Sequence, residues 1–102
     1  MSLGELQQLT MLAVARLGED AYGAAIRAEL EAVANRRISV PTVHVTLVRL
    51  EEKGLVTSGQ RPAAGSRGGR ARRVFTVTSR GWNALERSRA SMASMWEGVV
   101  RP

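Results

Sequence analysis

The 102-residue chain contains no cysteine. A disulfide framework and thiolate chemistry are excluded, and the composition suits a reducing compartment such as the cytoplasm. There is a single histidine, His44. One histidine without cysteine cannot build a usual zinc site, and no His-based triad forms without partner residues. No paired-carboxylate, metal or nucleophile constellation is visible, so neither catalysis nor a cofactor is expected. Aromatic residues are scarce, being only Tyr22, Phe75, Trp82 and Trp96. A core built from so few large side chains is small, and the chain would gain by burying surface in an oligomer. No apolar run approaches the roughly 20 residues of a membrane span. The N-terminus lacks a basic stretch followed by an apolar one, so no signal peptide is expected.

Acidic residues are missing from one region in particular. None lies between Lys53 and Arg80, where Arg61, Arg67, Arg70, Arg72, Arg73 and Arg80 gather. The whole chain carries a net charge of +6. Such a charge suits a polyanion, either nucleic acid or an anionic membrane, although a merely soluble basic protein would show the same sum. The clustering of the arginines is more informative than the total and favours nucleic acid.

Taken in order, Ser2 and Glu5 have the spacing of a capping box. The helix they open is expected to run to Leu17, with Gly18 as its stop. Leu6, Leu9, Ala13 and Leu17 share one face, and Leu3, Leu12 and Val14 add apolar surface elsewhere. A helix apolar on more than one stripe is usually covered on two sides, and the second cover could be another subunit. Glu19 and Asp20 sit where a helix dipole favours acids. Tyr22, Ile26, Leu30 and Val33 then repeat at helical spacing, to an end near Asn35.

Residues 39–56, SVPTVHVTLVRLEEKGLV, organise the rest. Ser39 is a good N-cap, and Pro41 falls in the first turn, where a missing N–H costs little. Val40, Val43, Leu47 and Leu50 form the expected buried stripe. Thr42, Val45, Thr46, Arg49 and Lys53 are expected on the opposite face. Short hydroxyl and basic side chains suit a helix approaching a duplex. Gly54 stops the helix.

A basic hairpin pattern follows. Residues 55–59 favour a strand, residues 61–71 form a Gly- and Arg-rich turn, and residues 73–77 alternate as a second strand. Phe75 and Val77 face the core in this pattern, with Arg73 on their side. A helix-turn-helix followed by two strands around a basic turn is the winged-helix order, and a wing commonly lays arginines along phosphates or in the minor groove. Thr78 or Ser79 caps a last helix expected to reach Val99. Leu85, Met92 and Val99 are seven apart, with Ser88 and Met95 between them. This weak heptad is too short for a free coiled coil but adequate for a dimer arm.

Several motifs have a second reading. Arg67-Gly68-Gly69-Arg70 could be an RGG-type RNA element, but a single copy between two strands fits a wing tip better. The glycines at 65–69 lack the G-K-[ST] of a phosphate loop. His44 is either a helix-face residue near a phosphate or an ordinary packed or solvated histidine. Trp82, Met92, Met95 and Trp96 are core or dimer packing, or the wall of a pocket for a flat apolar ligand. Trp96 is the stronger pocket candidate and Trp82 the more structural one.

Three blocks together resemble PadR-type transcriptional regulators over essentially the whole chain. They are LGEDAYG at 17–23 with Ile26, LVRLEEKGLV at 47–56, and GGRARRVF at 68–75 leading to TSRG at 78–81. The resemblance implies a winged-helix domain, a C-terminal dimerisation helix, and repression of nearby genes, often relieved by a small molecule. Some members sense phenolic acids and others planar cationic drugs. In the drug-sensing members a tryptophan of the C-terminal helix lines a pore between subunits, and Trp96 lies in the matching region. The family usually has glycine where this chain has Pro41, and has a tyrosine that helps hold the DNA backbone where this chain has His44.

The expected architecture is mainly α with a small antiparallel β-hairpin (α+β): a winged helix-turn-helix over residues 1–78, wing about 55–77, with a C-terminal dimerisation helix over 79–102. The expected partner is double-stranded DNA, an inverted-repeat operator bound by a homodimer, with a small planar aromatic effector. DNA-binding candidates are Ser39, Thr42, His44, Thr46, Arg49, Arg67, Arg70 and Arg72. Ligand candidates are Trp96 and Met92. Dimer candidates are Leu6, Leu85, Met92, Met95, Trp96 and Val99. The alternative is a winged-helix module that binds protein and no specific DNA.

Overall fold

The computed structural model describes residues 3–62 and 71–102. Helix α1 spans Glu5–Leu17, and a single 3-10 turn, Gly18–Asp20, follows it. Helix α2 spans Gly23–Ala34 and α3 spans Val40–Glu52. Strands β1, Val56–Pro62, and β2, Ala71–Val77, form an antiparallel pair, and α4, Ser79–Trp96, closes the chain. This is the expected mainly helical winged-helix arrangement.

Helices α1, α2 and α3 pack on one another, and β2 lies against α1. Met11, Val14, Ile26, Leu30, Val43, Leu47 and Leu50 are almost fully buried between them. Removing each such side chain from water stabilises the fold by about 1.5–3 kcal/mol. Leu55, Val56, Val74, Phe75 and Val77 extend this core into the base of the hairpin. The chain segment before α2 joins the sheet as well. Phe75 N–H donates to the Ala21 carbonyl at 2.9 Å, and Tyr22 forms an isolated bridge with Val74. β2 is thus held on both edges, which explains why Val74 is buried although it alternates away from Phe75 and Val77.

The helix ends follow local chemistry, with some differences from expectation. Gly4, not Ser2, holds the N-cap position of α1. The Gln7 side chain accepts from Gly4 N–H at 3.3 Å, while Glu5 pairs with Arg36 instead of closing a box. Ser2 lies outside the described residues. The inner face of α1 is Thr10, Met11, Ala13 and Val14, and Leu6, Leu9 and Leu17 are only half-buried. α2 ends on Asn35 in the left-handed conformation, φ 55°. Val33 is exposed there, so the α2 stripe is Ile26 and Leu30. α4 stops at Trp96, three residues before the expected end. Glu97 is extended and Gly98 has φ +79°, a region that favours glycine. Val99 therefore leaves the helix and the heptad pattern.

The strands are longer than the sequence suggested. Val56 pairs with Val77 and the register continues to Pro62 opposite Ala71. Arg61 and Ala71, placed in the turn by sequence, are strand residues.

Candidate nucleic-acid interface

Ser39 caps α3 as its sequence implies. Its hydroxyl accepts from Thr42 N–H at 3.2 Å and donates to the Thr42 hydroxyl at 2.9 Å. Both side chains are exposed, so the capped end of the helix is presented to solvent. Val43, Thr46, Leu47 and Leu50 form the inner face. Val40, placed in the buried stripe by sequence, is 45% exposed. Thr46 moves the other way. It follows Val43 by three positions and precedes Leu50 by four, which is one helical face. It is 8% exposed, and its hydroxyl donates to the Thr42 carbonyl at 2.9 Å. Its expected place on the outer face is corrected. His44, Val45, Val48 and Arg49 are exposed.

The hairpin stands beside this helix. Arg73 Nη1 donates to Ser58 Oγ at 2.8 Å, and the Ser58 hydroxyl lies 2.8 and 3.0 Å from the two Glu51 carboxylate oxygens. This network ties the wing base to the C-terminal turn of α3 and engages Glu51, which would otherwise repel a polyanion. The Arg72 guanidinium lies over the Tyr22 ring, 4.1 Å from its centroid. Such stacking is worth about 0.5–1 kcal/mol at an exposed site. A cleft between α3 and the wing is lined by Tyr22, Val40, His44, Arg72 and Arg73. Arg61 faces Arg72 directly across the strand pair. Like charges opposite each other weaken a hairpin unless an anion lies between them. Arg67 and Arg70 lie outside the described residues.

Charge is segregated along the chain. Residues 1–38 hold four basic and five acidic side chains, and residues 39–80 hold eight basic and two acidic ones. In the first segment Arg16, Arg27, Arg36 and Arg37 all meet carboxylates of Glu29, Glu31 or Glu5. Among the described residues of the second segment no ion pair forms. The described basic side chains of α3 and the wing are thus not paired with carboxylates.

At the other end, α4 leaves the body of the molecule. Gly81 and Leu85 are its only buried residues. Leu85, a dimer candidate by sequence, is 7% exposed and belongs to the chain's own core cluster. Ser88 Oγ donates to Gln8 Oε1 at 2.8 Å, the last tie to α1. Beyond it Met92, Met95, Trp96 and Val99 are 62, 76, 67 and 59% exposed. Leu6 is half-buried. An open groove of about 410 Å³ runs between α1 and α4, with Leu12, Trp82, Met92 and Trp96 among its walls. Trp82 is 42% exposed and is a groove wall, not a core residue.

Comparison with known proteins agrees with this geometry. The model of the PadR-like transcriptional regulator family matches residues 11–87. The chain belongs to this family. A PadR-like transcription factor from Bacteroides fragilis is 25% identical, with a TM-score of 0.72 over 90% of this chain and 84% of that one. A PadR family regulator from Eggerthella lenta is 29% identical, with a TM-score of 0.68 over 92% and 81%. RosR of H. salinarum, 22% identical with a TM-score of 0.66 over 96% and 81%, shares the fold. No curated protein sequence matches.

In this PadR-like chain the family-like blocks turn out to be joints. LGEDAYG supplies the Ala21 carbonyl and the Tyr22 ring that hold β2. KGLV and TSRG meet each other. Thr78 Oγ1 donates to the Gly54 carbonyl at 2.7 Å, Thr78 N–H donates to the Leu55 carbonyl at 3.1 Å, and Gly81 N–H donates to Thr78 Oγ1 at 3.0 Å. Pro41 and His44, the two positions where the sequence departs from the family pattern, are both exposed on α3. Sequence reasoning counted Arg61 among the clustered arginines but placed it in the turn, and so missed it as a strand residue facing Arg72. It also missed Leu12 as a groove wall, which only the α1–α4 pairing reveals, and gave Trp82 the more structural role although it lines the same groove. Among the described residues no helix is long and apolar enough to cross a membrane, and no three metal-binding side chains converge.

Proposed function

We propose that this PadR-like regulator works as a homodimer on an inverted-repeat operator and represses transcription there. The observation that carries the reading is the bare end of α4. A compact chain of this length has a radius of gyration of about 13 Å, whereas this one has 15.3 Å and extends 58 Å along its long axis. The apolar side chains Met92, Met95 and Trp96 on the projecting turns are left exposed by the described residues. A second copy related by two-fold symmetry is the usual way to cover such a surface. Dimerisation sets the two α3 helices in two-fold relation, and two-fold symmetry in the protein calls for two-fold symmetry in the DNA. Ser39, Thr42, His44, Arg49, Arg61 and Arg72 are the described side chains placed to meet it, Arg67 and Arg70 being assigned to the wing by sequence alone. Two such units over promoter DNA exclude polymerase, which is the route to repression.

The same dimer would enclose the α1–α4 groove, and its Trp82, Met92 and Trp96 walls suit a planar aromatic effector. Electrophoretic retardation of fragments from the chain's own upstream region tests the reading. The expected result is a dimer-sized complex on one fragment, released by an aromatic compound that also quenches tryptophan fluorescence. Absence of retardation at low salt would favour the protein-interaction alternative instead.

A further inference from the structure

Helical geometry puts Pro41, Val45, Val48 and Glu52 on one line, directly opposite the buried Val43, Thr46, Leu47 and Leu50. Val45 and Val48 are 47% and 40% exposed. The outermost ridge of α3 therefore carries no hydrogen-bonding side chain until Glu52, about 10 Å further along the axis than Val45. Thr42, Arg49 and Lys53 flank the ridge on one side, and His44 flanks it on the other. A helix that enters the major groove with this ridge foremost meets base edges with isopropyl groups and keeps its polar groups for the walls of the groove. The one base-edge feature there that an apolar side chain recognises is the thymine methyl.

We propose that Val45 and Val48 determine operator specificity by packing against thymine methyl groups at neighbouring base pairs of each half-site. The inference rests on the DNA-binding reading above and adds the chemistry by which sequence is read. The occupant of the ridge is DNA because the ridge lies within the segment holding eight basic and two acidic residues, and flanking Arg49 makes no ion pair among the described residues. Valine offers no donor or acceptor, so it leaves the polar groove-edge groups of every base pair unpaired, and the thymine methyl is the one group it can favour.

The test starts by selecting bound duplexes from a random library with the full chain. Thymines in the selected half-site are then replaced one at a time by deoxyuridine, which removes only the methyl. Fluorescence anisotropy at fixed salt gives the affinities. Wild type is expected to lose about four-fold at each of two neighbouring thymines, the effect of one buried methyl-sized group. Val45→Ala is expected to bind one of those thymine and deoxyuridine duplexes equally well, and Val48→Ala to do the same at the other. Arg49→Ala should weaken both duplexes and leave their ratio intact. Equal wild-type affinity for thymine and deoxyuridine duplexes, or a selected half-site without thymine, overturns the inference while leaving DNA binding in place. Failure to select any duplex, with no retardation at low salt, overturns the DNA-binding reading together with it.

Discussion

The two ends of α4 meet opposite environments. Its first two turns are fixed by backbone. A side chain at Gly81 would place a Cβ 2.2 Å from the Leu55 carbonyl oxygen and 2.8 Å from Val77 Cγ1. Thr78 caps this end and reaches across to Gly54. Among the described residues the last turns bury no side chain, and the apolar Met92, Met95 and Trp96 are exposed. The difference separates what folds the chain from what makes it useful. The first end aligns α3, the wing and α4 within one subunit. The second end can be changed without touching that alignment, so it is free to serve an interface.

Substitutions at the two ends should therefore fail in different ways. Gly81→Ala is expected to have the largest effect on folding, about 3 kcal/mol, because the obstructing atom is backbone and cannot swing aside. A thermal melt followed by circular dichroism should fall by more than about 10 °C. A melt within a degree or two of wild type would mean that the joint has slack. Trp96→Asp should leave that melt nearly unchanged for the isolated subunit. Sedimentation should show a monomer, and operator affinity should drop by about 100-fold as the two half-sites lose their linkage. Persistence of a dimer in this variant would move the interface elsewhere.

Smaller changes sharpen the contrast. Thr78→Val removes the cap and the bond to the Gly54 carbonyl, and should cost about 1.5 kcal/mol in chemical denaturation. Thr10→Val should act with the opposite sign. Thr10 is fully buried in α1 and its hydroxyl has no hydrogen-bond partner among the described residues. Replacing it with an isosteric apolar side chain should stabilise the protein by about 1 kcal/mol, read in the same denaturation experiment. A loss of stability would show that the hydroxyl has a partner in solution.

Much of the framework was legible in the chain itself. Ser39 followed by Pro41 marked the start of α3, because capping and a missing N–H are local effects that do not depend on distant contacts. Gly54 and Thr78 marked the ends of neighbouring elements for the same reason. Faces were less legible than ends. Thr46 has a polar side chain but satisfies its hydroxyl on the Thr42 carbonyl, so burial costs it little. Leu85 fits a dimer heptad by spacing, yet it is buried in the chain's own core. Val40 falls in the apolar stripe by spacing yet is 45% exposed, and nothing in a helical repeat says that the core runs out on its side.

The sequence by itself determined the order of elements, the caps and stops, the concentration of positive charge after residue 38, and the family blocks. All of these rest on residues close to one another in the chain. Only the tertiary structure decided that the family blocks are the joints between wing, α3 and α4, because those bonds close between residues 54–55 and 78–81 and between 21–22 and 72–75. It also decided which apolar side chains are spent on the core and which are left over. The two valines outermost on α3 and the aromatic and methionine side chains at the end of α4 are the surplus. A hydrophobic side chain carries no local sign of whether it will be covered, since that depends on what the rest of the chain brings to it.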